Sequence, residues 1–415
     1  MNRELDTLLR GCIECALCLP HCATYLATGD ETQSPRGRLM LLREVLDHPD
    51  DIDQSLHAAF DLCLGCRACE TACPSGVPYA LLDAAKSLAD EALGPPDGPV
   101  IRQLSSRPAL RSLRIAGGLA RSSLTGLMGP NWRSRLAAGM ISGPARQLGT
   151  LPASPGNRGL IEILDAASGL ATARDAAPGR LPAGDRAVAF FTGCANRELL
   201  PRTQGRLLSL LEAAGVAVTV PEGQECCGAL AAHTAAPQVA RAQQARNVTA
   251  LGRAVAETGV LVTEAAGCGL EFGTYPEDMA AAVVDATTFL AELPLPPLRE
   301  VSLRVAYHDP CHARHGQGIV DAPRVLLKRI PGVEVLEPDE ADVCCGSGGA
   351  YSLVHPELSA AMGRRKAGFL AATGADVVVT SNPGCLGQIA DALARDESRT
   401  VVLPLTDLLW YATLA

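Results

Sequence analysis

Two hydrophobic patterns divide the chain into a helical first part and an alternating second part. From about residue 187 onward, short runs rich in β-branched residues alternate with longer segments whose apolar residues recur at helical spacing. The predicted strands are 187–192, 216–220, 259–263, 303–308, 333–336 and 376–380. Three helices are predicted in this part: one ends near residue 214, and the other two span about 236–256 and 356–372. Because strands that alternate with helices form parallel sheets, this pattern predicts α/β units.

The first part of the chain is predicted to be mainly helical. Ser34 is a favourable N-cap, Pro35 suits the first helical position, and an apolar helical segment follows at 39–46. Glycine and proline punctuate the stretch after residue 93, which predicts a connector of short helices and turns. The predicted fold class is therefore α+β and multidomain. The predicted domains are 1–93, a connector at 94–184, and two α/β units at 185–297 and 298–415.

The positions of the sixteen cysteines indicate that the α/β part is a duplication. The first eight are Cys12, Cys15, Cys18, Cys22, Cys63, Cys66, Cys69 and Cys73, and the last eight are Cys194, Cys226, Cys227, Cys268, Cys311, Cys344, Cys345 and Cys385. The last eight form two groups of four, related by offsets of 117, 118, 118 and 117 residues. An offset that is kept through four cysteines predicts two copies of one domain. The cysteines then follow the strands, where sites in parallel sheets usually lie.

Composition and charge narrow the range of functions. At 415 residues the chain is long enough for two or three domains, and its net charge of −9 gives no reason to expect nucleic-acid binding. No apolar stretch approaches the roughly 20 residues needed to cross a bilayer, and residues 1–10 do not look like an export signal. A cytoplasmic protein is predicted, in which cysteines are expected to be thiolate ligands rather than disulfides.

An arginine-rich stretch interrupts this acidic chain. Residues 98–161 contain nine arginines and no acidic residue. The stretch either docks on anionic lipid at the inner face of the cytoplasmic membrane, docks on an acidic partner, or is an exposed connector. Peripheral membrane association is therefore one of three open expectations.

The amino-terminal cysteines have the spacing of ligands to two iron–sulfur clusters. Both motifs read C-x2-C-x2-C-x3-C, in which three thiolates reach one cube and the fourth points toward a second. The first [4Fe–4S] cluster is assigned to Cys12, Cys15, Cys18 and Cys73, and the second to Cys63, Cys66, Cys69 and Cys22. Two structural zinc sites are the alternative, but zinc does not explain the doubled, interlocked spacing. The nearby Arg36 and Arg38 either offset the negative charge of a cube or are solvated residues of a first helical turn.

The later cysteines allow several interpretations. Each copy offers four sulfurs that could hold a further cluster, bind another metal as a third site, or line a docking surface as thiols. Five histidines lie near them in sequence: His233, His308, His312, His315 and His355. These histidines either tune a redox site or relay a proton, or they have surface or structural roles. The glycine loop at 346–349 lacks the spacing of a dinucleotide fingerprint, so no nucleotide is assigned to it.

Taken together, these motifs resemble the family of glycolate oxidase iron–sulfur subunits over essentially the whole chain. The matching segments are 34–38, 69–76, 225–228, 266–269 and 344–348. The resemblance implies a mainly helical two-cluster ferredoxin-like domain followed by two cysteine-rich domains of the kind called CCG. It also implies an electron-transfer subunit of a glycolate dehydrogenase complex. In such a complex a partner flavoprotein, which carries FAD, oxidises glycolate to glyoxylate, and this chain passes electrons toward a membrane quinone.

Relatives in the wider family leave two alternatives open. One is an electron-transfer subunit for a D-lactate or glycerol-3-phosphate dehydrogenase, and the other is a heterodisulfide-reductase-like catalytic subunit that acts through its CCG domains. In the heterodisulfide relatives each CCG domain ends in a C-x2-C pair, whereas here Ala265 and Asn382 stand three residues before Cys268 and Cys385. The missing cysteines favour electron transfer. The chain shows no evident flavin motif or general base, so no catalytic residue is assigned.

Overall fold

The computed structural model describes residues 2–48, 51–94, 186–233 and 236–413. Almost all of the connector predicted at 94–184, including the nine arginines of residues 98–161, lies outside the described residues, so docking through that stretch stays a prediction. Of the helices within these four ranges, none combines the length and the apolar character that a membrane span requires.

The amino-terminal unit is helical, as predicted. Its elements are α1 (Asn2–Leu9), α2 (Ala23–Thr28), α3 (Pro35–Asp47), α4 (Gln54–Asp61), α5 (Ala68–Thr71) and α6 (Ala80–Leu93), with 3-10 turns at Leu19–His21 and Glu31–Gln33. Helix α3 begins where the sequence indicated, because Pro35 is its first residue and the backbone N–H of Gly37 donates to Ser34 Oγ at 2.9 Å. Leu42 of α3 and Leu81 of α6 are fully buried, so α3 and α6 close the unit's small core.

Two four-stranded parallel sheets follow, one for each copy of the duplication. The first contains β1 (Ala187–Phe191), β2 (Ala217–Thr219), β3 (Leu261–Thr263) and β4 (Val283–Asp285), and the second contains β5 (Leu303–Tyr307), β6 (Val333–Leu336), β7 (Val377–Thr380) and β8 (Val401–Pro404). The spatial orders are β2-β1-β3-β4 and β6-β5-β7-β8, and every neighbouring pair is parallel. The two copies therefore have the same topology, as a duplication requires.

Helices connect the strands in both copies. Those of the first copy are α7 (Ala195–Leu199), α8 (Pro201–Ala213), α9 (Ala229–His233), α10 (Pro237–Thr258), α11 (Ala266–Phe272), α12 (Glu277–Ala282) and α13 (Ala286–Glu292). Those of the second are α14 (Cys311–Gln317), α15 (Asp321–Lys328), α16 (Tyr351–Val354), α17 (Pro356–Ala372), α18 (Pro383–Arg395) and α19 (Leu405–Thr413). The predicted strand at 333–336 and the predicted helix at 356–372 have the bounds that the structure shows.

The sequence pattern missed the fourth strand of each sheet. Strand β4 has three residues and lies between α12 and α13 without a loop, so neither alternation nor turn residues mark it. Strand β8 is likewise followed at once by α19. The predicted fold class is confirmed, since a helical unit precedes two parallel α/β units.

The two α/β units share one hydrophobic core. Phe190 of β1, Val379 of β7 and Trp410 of α19 belong to the same buried cluster. A buried ion pair crosses the same interface: Arg206 Nη1 lies 2.6 Å from Asp407 Oδ2, and the Arg206 guanidinium lies 4.9 Å from the Trp410 ring centroid. This packing holds the two sheets, and the cysteine loops at the ends of their strands, in a fixed relation.

Candidate metal centres

A recess opens in the amino-terminal unit where its two cysteine motifs meet. Cys12, Cys15 and Cys18 line it from the first motif, and Cys73 lines it from the second. These are the four residues that the spacing assigns to the first cluster. The structure therefore brings this predicted set together around a single space.

The second predicted set surrounds a neighbouring recess. Cys63, Cys66 and Cys69 line it from the second motif, and Cys22 lines it from the first. Each motif thus contributes three cysteines to one recess and its fourth to the other, although Cys69 also touches the first recess. This exchange of the fourth cysteine is the arrangement that the C-x3-C spacing predicts.

The two cysteine loops follow the same backbone path. In each motif a left-handed residue precedes the second cysteine and another follows it: Glu14 (φ 57°) and Ala16 (φ 66°) in the first, Gly65 (φ 68°) and Arg67 (φ 61°) in the second. For the three residues that are not glycine, this conformation costs roughly 1–2 kcal/mol each. Strain at matching positions of two separate loops is typical of functional sites, because it turns the chain around whatever the sulfurs bind.

The chemistry of these thiols fits a metal cluster. Burial raises the pKa of the Cys18 thiol to about 11 and the pKa values of Cys66 and Cys69 well above their usual range, and neighbouring thiols add to each effect. Thiols in such surroundings stay protonated unless a cation compensates their charge, and a coordinating metal deprotonates its thiol ligands outright. Four sulfurs around each recess are the donor set that a [4Fe–4S] cube requires.

Arg36 and Arg38 have different roles. Arg38 is buried and donates from Nε to Ala59 O at 2.7 Å and from Nη1 to Gln33 O at 2.6 Å. Its interpretation as a solvated residue is therefore wrong, because it ties α3 to the segments beside it. Arg36 lines the first recess and pairs with Glu31 at 2.9 Å, which places a positive charge beside the first cysteine set.

The second cysteine set of the amino-terminal unit faces the second α/β copy. Leu64 and Cys66 pack in one apolar cluster with Cys311, Cys344 and Tyr351 of that copy. The Tyr351 hydroxyl also donates to the carbonyl oxygen of residue 62 at 3.1 Å. The two motifs could not predict this contact, because residues more than 240 positions apart in sequence form it.

Three histidines make hydrogen bonds across the same interface. They are His312 Nε2 to Gly65 O at 3.2 Å, His315 Nδ1 to Thr71 Oγ1 at 2.6 Å, and His355 Nε2 to Asp61 Oδ2 at 2.9 Å. The structural role that the sequence left open for them is therefore the one observed. Burial lowers the pKa of His312 to about 3, and the nearby His233, whose ring lies 5.5 Å away, lowers it further. His312 is thus a neutral hydrogen-bonding group at neutral pH.

The cysteines of the first copy form a compact thiol group. Cys194 Sγ lies 3.3 Å from Cys226 Sγ, and both residues are buried together with Cys227. Cys268, at the start of α11, is only partly buried. The structure therefore brings the four predicted sulfurs of this copy into one place.

In the second copy, a histidine lies together with two of the cysteines. Ligand atoms of His308, Cys345 and Cys385 all lie within 4.8 Å of one another, and the three residues are buried. Within the four described ranges, no other group of three or more metal-ligating side chains is gathered so closely. The thiols of Cys311 and Cys344, the other two predicted sulfurs of this copy, interact with each other beside the group.

Family models match the three structural units. A 4Fe-4S dicluster domain matches residues 8–77, and a cysteine-rich domain called CCG matches twice, at 188–273 and 305–390. The chain is thus an iron–sulfur protein in which a [4Fe–4S] dicluster domain precedes two CCG domains. The second match of the CCG model confirms the duplication that the cysteine offsets predicted.

Whole-chain relatives identify the family more closely. The probable glycolate oxidase iron–sulfur subunit of Bacillus subtilis is 33% identical to this chain, over 97% of this chain and 93% of its own length. The glycolate oxidase iron–sulfur subunit of Escherichia coli is 29% identical, over 94% of this chain and 91% of its own length. One of the subunits of the fumarate reductase (CoM/CoB) of Methanothermobacter marburgensis is 28% identical, over 94% of this chain and 69% of that protein. The chain belongs to the glycolate oxidase iron–sulfur subunit family.

Proposed function

We propose that this chain transfers electrons from a flavoprotein that oxidises glycolate to glyoxylate to a quinone-type acceptor. The observation that carries the proposal is the exchange of fourth cysteines between the two neighbouring recesses, in a chain whose full-length relatives are named as glycolate oxidase subunits. FAD and the substrate chemistry belong to partner subunits. Because no catalytic residue is assigned here, the chain supplies the path for electrons rather than the site of glycolate oxidation.

The eight amino-terminal cysteines are the proposed ligands. Cys12, Cys15, Cys18 and Cys73 hold the first [4Fe–4S] cluster, and Cys63, Cys66, Cys69 and Cys22 hold the second. The clusters supply one-electron transfer when bound. The protein's own contribution is to fix two thiolate sets in adjacent recesses and to pack the second of them against the second CCG domain.

The alternatives from the wider family have less support. A relative named lactate utilization protein A, from Oceanobacillus iheyensis, matches only 54% of this chain. One of the subunits of a heterodisulfide reductase from Methanosarcina barkeri matches 98% of it at 25% identity. In this chain, however, Asn382 stands where a fifth cysteine would be needed, and its side-chain amide donates to Cys385 Sγ at 3.4 Å. We therefore favour electron transfer over disulfide reduction.

The test is reduction by substrate in a reconstituted complex. The chain is purified anaerobically with its flavoprotein partner and mixed with glycolate, D-lactate or glycerol 3-phosphate, while glyoxylate formation and the paramagnetic signals of the reduced chain are followed. Glycolate is expected to reduce both the flavin of the partner and the iron–sulfur clusters of this chain. In a Cys63→Ser variant, glycolate should still reduce the flavin but electron delivery to a quinone analogue should fail. Reduction by D-lactate alone, or by none of the three substrates, would refute the glycolate assignment.

A further inference from the structure

His308 has a buried imidazole whose two nitrogens have no hydrogen-bond partner among the described residues. It directly follows β5, its backbone N–H donates to Val379 O at 2.9 Å, and its side chain is 1% exposed. Among the residues that the structure describes, none hydrogen-bonds to Nδ1 or to Nε2. Leaving a buried polar group unsatisfied costs roughly 1–3 kcal/mol. Such a group in the interior points to a missing ligand.

Two thiols face this imidazole. The ligand atoms of His308, Cys345 and Cys385 lie within 4.8 Å of one another, and Cys345 and Cys385 are also almost fully buried. The three residues follow β5, β6 and β7, which are adjacent parallel strands of one sheet. Their side chains therefore meet at the carboxyl edge of the sheet, where parallel sheets usually bind ligands.

We propose that His308, Cys345 and Cys385 bind one zinc ion in the second CCG domain. Ligands of a tetrahedral zinc ion, at ~2.3 Å for sulfur and ~2.0–2.1 Å for nitrogen, stand about 3.5–3.8 Å apart. The observed grouping is close to that spacing, whereas cysteines that bind different irons of a cube must stand farther apart. One nitrogen and two or three sulfurs in a buried site are a donor set typical of zinc.

The remaining ligand and the charge balance are also present. Cys311 and Cys344 adjoin the trio, so one of their thiolates can complete a tetrahedron. Zinc with three thiolates and a neutral imidazole carries a net charge of −1. The buried ammonium of Lys366, which donates to Glu340 O, lies near Cys344 and Cys345 and offsets that charge.

The first copy differs at the decisive position. The offset of 117 residues aligns His308 with Phe191, whose ring packs edge-on against Phe272 with centroids 4.8 Å apart. The offset of 118 residues similarly aligns Lys366 with Val248. The second copy thus has a nitrogen ligand and a positive charge at two positions where the first copy has apolar side chains. The proposed site is specific to the second copy and uses none of the eight amino-terminal cysteines as a ligand.

The first test is the metal content of the full chain, purified anaerobically without affinity metals. Elemental analysis is expected to find about one zinc ion per chain in addition to the iron of the dicluster domain. His308→Gln should remove most of that zinc and leave the iron unchanged. Phe191→Leu is the matched control in the first copy and should retain the zinc. Zinc at the same level in His308→Gln, or wild-type protein without zinc, would overturn the proposal.

Cobalt provides a second, independent readout. When zinc is replaced by Co²⁺, thiolate ligation gives sulfur-to-cobalt charge-transfer absorption, which is separate from enzyme activity. We expect that band in the wild-type chain and its loss in Cys385→Ser, which keeps the test decisive if His308→Gln fails to fold. Absence of the band in the wild type, or additional iron that is lost together with His308, would contradict a zinc site.

Discussion

Glu264 should make the stability of the α/β part depend on pH. The residue directly follows β3 and is buried at the interface between the two copies, where its carboxyl oxygens accept from Thr406 Oγ1 at 2.9 Å and from Asn196 Nδ2 at 3.0 Å. Burial raises the pKa of Glu264 from 4.5 to about 8, and the nearby carboxyl of Asp407 raises it further. The folded protein therefore holds a proton on Glu264 at pH values where the unfolded chain has lost it.

The sign and size of the effect follow from this difference. Below the unfolded-state pKa of 4.5, Glu264 is protonated in both states and does not change the free energy of unfolding. As pH rises from 4.5 toward 8, only the unfolded chain loses the proton, so the free energy of unfolding falls. Between pH 6 and pH 8 the expected loss is about 2 kcal/mol. For a folding unit of this size, that loss lowers the melting temperature by about 4–8 °C.

The assay compares Glu264→Gln with wild type by calorimetry of the full chain at pH 6 and pH 8. Glutamine cannot ionise, so the variant's α/β transition should fall about 4–8 °C less than that of the wild type over this interval. Glu257→Gln, on the exposed side of α10, is the matched control and should behave as wild type. Equal pH dependence in wild type and Glu264→Gln would refute the reasoning.

Two further pairs of variants test the packing around the sites. Arg206→Met leaves its buried carboxylate partner unpaired and should cost about 3–5 kcal/mol in denaturant unfolding, whereas Arg395→Met, which removes a partly exposed ion pair with Asp391, should cost under about 1 kcal/mol. Gly346→Ala should destabilise the protein by about 2 kcal/mol or more, because φ is +84° there and a new Cβ would lie 2.7 Å from Met362 Cβ. Gly368→Ala in α17 meets open space and should stabilise by about 0.5–1 kcal/mol, and a destabilising result would contradict the helix assignment.

Local patterns were sufficient to predict the duplicated architecture. The cysteine offsets depend only on sequence spacing, and most strands and long helices carry periodicity of their own. Strands β4 and β8 were not predicted because each runs directly into the helix that follows it, without a loop. The sequence therefore has no run of turn residues that would mark where these strands end.

The contacts between distant segments could not be predicted. Nothing in the motifs indicates that Cys66 packs with Cys344, since this contact depends on how the helical unit docks on the second copy. His308 was one of five histidines that adjacency to cysteines had singled out. The repeat offset aligns His308 with Phe191 of the first copy, and this difference between the copies is the sequence signal that distinguishes it. Only the fold shows that both of its ring nitrogens are buried without partners in the described ranges.

The most direct test of the electron-transfer assignment is the iron and acid-labile sulfide content of the anaerobically purified chain, measured with electron paramagnetic resonance after reduction. Two [4Fe–4S] clusters predict about eight irons and eight sulfides per chain, with two interacting signals. Because the fourth cysteines are exchanged, Cys73→Ser should alter the cluster of the first motif, and Cys22→Ser that of the second. A colourless protein with zinc in place of this iron and no reducible centre would contradict the assignment.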